Sequence, residues 1–269
     1  MEYTMTRKFM KDIKRIIIKI GTNSIMLEGN QIDYKKLDRL AFVCSTLLQE
    51  GKEVIIVTSG AVGVGASHLN LTEYPKTIEQ QQALAAIGQG ILMGHYSRFF
   101  QYYDQTVAQI LLTRDVVTFE TSYMNVKRTM NALLKQQIIP IINENDAISD
   151  DELNHMTKFG DNDTLSAIVA GISDADLLII MSDVDGLYDS NPKENPQAKL
   201  IEEVNEITDD ITSMASGKGS SFATGGMATK LKAAQLILDQ DQAMIITSGE
   251  DPVSIFRILE GDIIGTLFK

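Results

Sequence analysis

Cysteine is almost missing from this sequence: Cys44 is the single one among 269 residues. One thiol excludes an internal disulfide and a cysteine-based metal cluster, and it suits a reducing compartment. Cys44 falls in register with Leu37, Leu40, Ala41, Leu47 and Leu48 on one face of a helix over 33–50, so it reads as core packing. Long apolar runs are missing too. None reaches the roughly 18 residues that span a bilayer, and the basic residues scattered over 1–14 precede no apolar signal core. Basic residues are in deficit: 24 Lys and Arg against 36 Asp and Glu give a net charge of −12. Such a surface repels nucleic acid and anionic lipid, so neither is an expected partner. A cytoplasmic location is expected, and a site for an anionic substrate has to gather its lysines locally.

Two nucleotide signatures are absent as well. The dinucleotide fingerprint needs G-x-G-x-x-G, whereas Gly60-Ala61-Val62-Gly63-Val64-Gly65 runs in the opposite order, and the chain has no Walker A pattern. What remains there is a strand, a glycine turn and a helix N-terminus, which together make a cradle for a carboxylate or phosphate. Ser59 adds a hydroxyl.

What is present is an alternation of strands and helices. Strands are expected over 15–20, 53–57, 106–112, 138–142, 176–181, 242–246 and 264–268. Helices are expected over 33–50, 77–102 and 120–136, after Asp161, and from Ala223 onward. The helix over 77–102 is expected to place Leu84, Ile87 and Ile91 on one side, with His95 a packed or surface residue. This order implies an α/β fold with a mostly parallel sheet between helical layers. No repeat, low-complexity segment or linker interrupts it.

The polar residues gather at the expected strand ends and helix starts. Lys19 interrupts the apolar run Ile16-Ile17-Ile18 and Ile20, a costly position unless its ammonium meets a partner or the strand lies at an edge. Gly21-Thr22-Asn23-Ser24 follows at the strand's C-terminal end, where ligands sit in open α/β sheets. Asn143-Glu144-Asn145-Asp146 repeats that pattern, and Asn143 and Asp146 are suited to an ammonium. Lys158-Phe159-Gly160-Asp161-Asn162-Asp163-Thr164 opens a helix. One of its short polar residues suffices for a cap; crowded carboxylates also call for cations nearby. Ala223 to Lys230 opens another helix with paired glycines, and Lys230, one turn in, leans back toward a phosphate held at that N-terminus. A hinge with a surface lysine is the plainer alternative there. The loop 147–158 reads as a solvated excursion.

Six stretches then match in order. They are Ile18-Lys19-Ile20-Gly21-Thr22-Asn23-Ser24, Val57-Thr58-Ser59-Gly60-Ala61, Ile141-Ile142-Asn143-Glu144-Asn145-Asp146, Phe159-Gly160-Asp161-Asn162-Asp163, Ser182-Asp183-Val184-Asp185-Gly186-Leu187-Tyr188 and Thr224-Gly225-Gly226-Met227-Ala228-Thr229-Lys230. On these, with Gly265-Thr266-Leu267-Phe268 at the close, the chain resembles the amino acid kinase family, in particular its glutamate-phosphorylating group. The resemblance implies a three-layer α/β/α sandwich in one kinase domain. About 1–172 would bind the phosphoryl acceptor and about 173–269 would bind ATP, with Mg²⁺ held through the ATP phosphates. The implied reaction turns the side-chain carboxylate of L-glutamate into an acyl phosphate, the first step of proline biosynthesis. Lys19, Asp163 and Lys230 would be catalytic. Ser59, Gly60, Ala61, Asn143, Asp146, Asp161 and Asn162 would hold the acceptor. Lys19, Ser182, Asp183 and Thr224, Gly225, Gly226, Met227, Ala228, Thr229 and Lys230 would hold ATP.

Many relatives carry a C-terminal domain of the PUA type, and none is expected here. The resemblance also implies a homo-oligomer, dimer or tetramer, with proline as a feedback inhibitor and a glutamyl-phosphate reductase as further partners. The rivals are a family member acting on N-acetylglutamate, aspartate, carbamate or UMP, and a non-catalytic amino-acid or nucleotide sensor on the same scaffold. Asp146 favours an acceptor with a free ammonium, and a sensor would have lost Lys19, Asp163 or Lys230, all of which are present.

Overall fold

The computed structural model describes residues 7–27, 31–71, 73, 75–149, 161–192, 194–215 and 226–269. Within them the chain runs β1 (Arg15–Ile20), α1 (Thr22–Ile25), α2 (Tyr34–Gln49), β2 (Glu53–Val57), α3 (Ala61–His68), α4 (Ile78–Gln101), β3 (Val107–Leu112), α5 (Asp115–Thr118) and α6 (Glu120–Lys135). It continues with β4 (Ile139–Glu144), α7 (Asn162–Ser173), β5 (Leu177–Ser182), β6 (Glu203–Val204), α8 (Asp209–Ala215), α9 (Met227–Leu238), β7 (Ala243–Ser248), α10 (Ser254–Glu260) and β8 (Thr266–Phe268).

The strands form one sheet in the order β3-β4-β2-β1-β5-β7-β8-β6. Neighbours are parallel from β3 to β7; β8 runs antiparallel to β7 and parallel to β6. The run Ile16-Ile17-Ile18 is continuous rather than alternating because β1 is covered on both sides. Ile16, Ile18 and Ile20 join a core with α2, α4 and α10, and Ile17 joins a second core with α6, α7 and α9. Each such isoleucine contributes about 1.5–3 kcal/mol by leaving water. Cys44 lies fully buried in the first core.

The chain leaves β1 toward β2 on one side and later returns to place β5 on the other. The crevice beyond the ends of β1 and β5 is therefore a topological switch point, the usual ligand site of an open α/β sheet. Lys19 pairs with Val57 and Ile180 there, so its strand is central and not an edge. The expected polar turn at 21–24 is instead the short helix α1.

Helix α4 departs from its expected face. Ile87 is 38% exposed, while Leu84, Ala85, Gly88, Gln89, Leu92, Tyr96 and Phe100 are buried. The cause is backbone packing: a Cβ on Gly88 would stand 1.8 Å from Ala61 O, and one on Gly65 would stand 2.1 Å from Leu84 O. The two helices touch through bare backbone, a contact that apolar periodicity does not register. Among the described residues, no helix is long and apolar enough to cross a membrane.

Candidate active site

The centre of the site is a buried carboxylate between two ammonium groups. Asp163, 1% exposed in the first turn of α7, lies 2.6 Å from Lys19 Nζ through Oδ1 and 3.4 Å from Lys230 Nζ through Oδ2. Thr229 Oγ1 stands 2.8 Å from the same Oδ2. Lys19 comes from β1 and Lys230 from the first turns of α9, and both lysines are buried. Burial by itself would raise the Asp163 carboxyl. The charges of Lys19 and Lys230 and the hydrogen bonds from Lys19 and Thr229 more than offset it, leaving the group below its ordinary value. Asp163 is thus an ionised clamp that spaces two cations.

The cluster at the start of α7 divides its labour. Asp161 is the N-cap: Oδ1 accepts from Thr164 N at 2.7 Å and Oδ2 accepts from Thr164 Oγ1 at 2.9 Å. Asn162 Oδ1 is buried with no hydrogen-bond partner among the described residues. Asp163 serves the lysines. The segment 150–160, with most of the expected loop 147–158 and Lys158-Phe159-Gly160, lies outside the described residues, as do Thr224 and Gly225.

On the β2 side, Gly60 takes a left-handed conformation (φ 98°) and starts α3 at Ala61, a backbone that favours glycine. Ser59 and Gly60 are half-buried at this turn. At the end of β4, Asn143 is buried and donates through Nδ2 to Gln89 Oε1 at 2.9 Å, while its Oδ1 accepts from Glu144 N at 2.9 Å. Asp146 lines a cavity of about 230 Å³ together with Ala61, Gln89, Gln109 and Glu144. On the β5 side, Ser182 is buried and donates to Asp183 Oδ1 at 2.9 Å, and Asp183 itself is exposed. Gly226 precedes α9 and, as a glycine, offers no side-chain cap; Met227 and Thr229 are half-buried and Ala228 is exposed. The ends of β2 and β4 thus place Ser59, Asn143 and Asp146 on one side of Lys19, and the start of α9 lies on the other.

A model of the amino acid kinase family matches residues 14–248. The chain belongs to the amino acid kinase family. Two relatives named glutamate 5-kinase place it within that group. The one from Enterococcus faecalis is 52% identical over 262 residues, covering 97% of this chain and 97% of the relative. The one from Lactococcus lactis subsp. lactis is 53% identical over 264 residues, covering 98% of each. Solved amino acid kinase folds align over nearly the whole chain. UMP kinase from Bacillus anthracis gives a TM-score of 0.64 at 19% identity, covering 96% of both chains. Carbamate kinase from Giardia lamblia bound to AMP-PNP gives 0.66 at 17% identity, covering 96% of this chain and 99% of that one.

Two contributors escape the motifs. Tyr96 on α4 shares a 2.8 Å hydrogen bond with Thr58 Oγ1, and Gln89 anchors Asn143, so α4 is pinned to the ends of β2 and β4. The signal for both was a polar atom on a helix face whose neighbours are buried.

Proposed function

We propose that this amino acid kinase transfers the γ-phosphoryl group of ATP to the side-chain carboxylate of L-glutamate, giving L-glutamyl 5-phosphate and ADP, the first step of proline biosynthesis. The observation that carries the mechanism is the Lys19–Asp163–Lys230 cluster at the switch point. A glutamate carboxylate, with an ordinary pKa of about 4.3, is already ionised at neutral pH, so no base is needed. One of its oxygens attacks the γ-phosphorus, and the bond to the β,γ-bridging oxygen breaks with its electron pair going to ADP. What the protein supplies is alignment and charge neutralisation. Lys19 and Lys230 reach the transferring group from the two halves of the sheet. Asp163 keeps the ammoniums apart and oriented and takes no proton.

Residues to about 172 bind the acceptor and those beyond bind ATP. Ser59, Gly60 and Ala61 face the acceptor's carboxylates; Asn143, Asp146 and Asn162 face its ammonium and remaining oxygens, with Asp161 supporting that turn. Ser182, Asp183 and Thr224 to Lys230 hold the nucleotide, whose phosphates meet the uncapped start of α9. Both Asp163 oxygens are engaged by Lys19, Thr229 and Lys230, so Mg²⁺ would be held through the ATP phosphates rather than by this carboxylate. Bound there, the ion would supply neutralisation of the phosphate charge. A cytoplasmic homo-oligomer, with proline as inhibitor and a reductase consuming the labile acyl phosphate, completes this reading.

The test is ADP release with Mg-ATP and, separately, L-glutamate, N-acetyl-L-glutamate, L-aspartate and UMP, with hydroxylamine trapping any acyl phosphate. Hydroxamate with L-glutamate alone is expected. Hydroxamate with N-acetylglutamate would remove Asp146 from its role, and no product from any acceptor would overturn the kinase.

A further inference from the structure

Gln89 is 8% exposed, lines the cavity beside Asp146, and its Nε2 is a buried donor with no hydrogen-bond partner among the described residues. An orphaned buried donor in a native fold calls for a reason, since leaving one unmade is costly. Its orientation is not free. Glu144 N–H can only donate, so it fixes Asn143 Oδ1 as acceptor at 2.9 Å. Asn143 then presents Nδ2, which fixes Gln89 Oε1 as acceptor at 2.9 Å. The chain of amides is directional and ends in the amino group of Gln89, whose N–H donors meet no acceptor among the described residues. Gln89 lines a cavity of about 230 Å³ whose other lining residues include Glu144 and Asp146. Two carboxylate residues and an amide residue lining one cavity suit the two charges of a free α-amino acid: the ammonium toward Asp146, a carboxylate toward Gln89.

We propose that Gln89 selects the phosphoryl acceptor by donating from Nε2 to a carboxylate oxygen of the amino acid seated beside Asp146. This rests on the acceptor assignment above. Asn143 is in turn a positioning residue, holding the Gln89 amide in the one orientation that presents donors. The arrangement also accounts for an amide, rather than a leucine, on the buried face of α4.

The decisive substitution is Gln89→Glu. It keeps the shape and the acceptor for Asn143 Nδ2 but turns the donor into an oxygen. Gln89→Met, of similar length, removes the donor without adding charge. Both are measured for KM of L-glutamate, KM of ATP, kcat and thermal unfolding with and without L-glutamate. KM for L-glutamate is expected to rise by roughly 10- to 100-fold, the range for a hydrogen bond to a charged group. KM for ATP should stay within about two-fold of wild type on the same argument, because only the acceptor meets this amide. The stabilisation by L-glutamate seen in wild type should fade in both variants. An unchanged KM for L-glutamate in either folded variant overturns the proposal and leaves Nε2 to a bound water. Failure of both variants to fold also overturns it, making Gln89 a core amide alone. Wild-type protein that forms no hydroxamate with L-glutamate refutes the reaction itself, which is a different result from an active wild type with indifferent Gln89 variants.

Discussion

The Thr229 hydroxyl on α9 lies 2.8 Å from Asp163 Oδ2 on α7 and 2.7 Å from the carbonyl of Gly226, so one proton has two acceptors in reach. The residue thereby ties the uncapped start of α9 to the carboxylate between the lysines. Any movement of that helix start is felt at Asp163.

Thr229→Val keeps the shape and removes the donor. A hydrogen bond to a charged group is worth about 1.5–3 kcal/mol, so kcat is expected to fall by about ten-fold or more. Thr229→Ser should retain most of the activity. Steady-state assays of the pair decide it, and equal rates for Val and Ser would show that the hydroxyl is idle.

Asp163→Asn leaves two buried ammoniums facing a neutral amide. Removing one partner from a buried ionic cluster costs on the order of 3–5 kcal/mol, so a fall in Tm is expected together with a loss of turnover. The pH dependence has a definite sign. The folded carboxyl sits below its ordinary value of 3.8, so its stabilisation is complete above that value and is lost as pH falls through the lower folded value. The stability gap between wild type and Asp163→Asn is therefore expected to be flat near neutrality and to narrow on acidification below about pH 4. Urea melts at stepped pH values measure it, and a gap that widens on acidification would contradict the clamp.

Lys19→Ala and Lys230→Ala remove one charge each from the transferring group. Each should lower kcat by about 10²–10³, the usual loss for a single charge-stabilising group. The two losses should combine less than additively, because both ammoniums share one carboxylate and one transferring group. Initial rates of the single and double variants test this, and wild-type-like turnover in Lys230→Ala would exclude it from catalysis.

Much of this was readable in the sequence, for identifiable reasons. Lys19 stood out because a lysine inside an isoleucine strand is costly unless it meets a partner or lies at an edge, and Asp163 stood out because three short polar residues exceed what a helix cap uses. The structure gives the cap to Asp161 and the lysines to Asp163. The parallel sheet followed from the alternation of elements. What stayed hidden were contacts without an apolar signature. Ile87 looked like a core residue by periodicity, yet the buried face of α4 turns toward Gly88 and Gln89. A glycine adds nothing to a hydrophobic pattern, and a glutamine subtracts from it. Local spacing also gave no hint that Thr58 would meet Tyr96 or Asn143 would meet Gln89, since these pairs are 38 and 54 residues apart.

The glycines of α4 give the final prediction, because two of them are expected to respond in opposite directions to the same change. In Gly88→Ala the new methyl would meet Ala61 O at 1.8 Å and Gly65 N at 2.5 Å, both backbone atoms. Helix α3 has to shift, at a cost of about 1–3 kcal/mol or more for such overpacking. The shift moves Gly60 and Ala61, so KM for the acceptor should rise as well. In Gly94→Ala the methyl meets nothing within 4 Å. There the gain in helix propensity should stabilise by about 0.5–1 kcal/mol with activity unchanged. Thermal melts and acceptor KM values for the two variants test the contact directly. A neutral Gly88→Ala would mean that α3 and α4 do not touch through backbone, and the acceptor cavity would then need another wall.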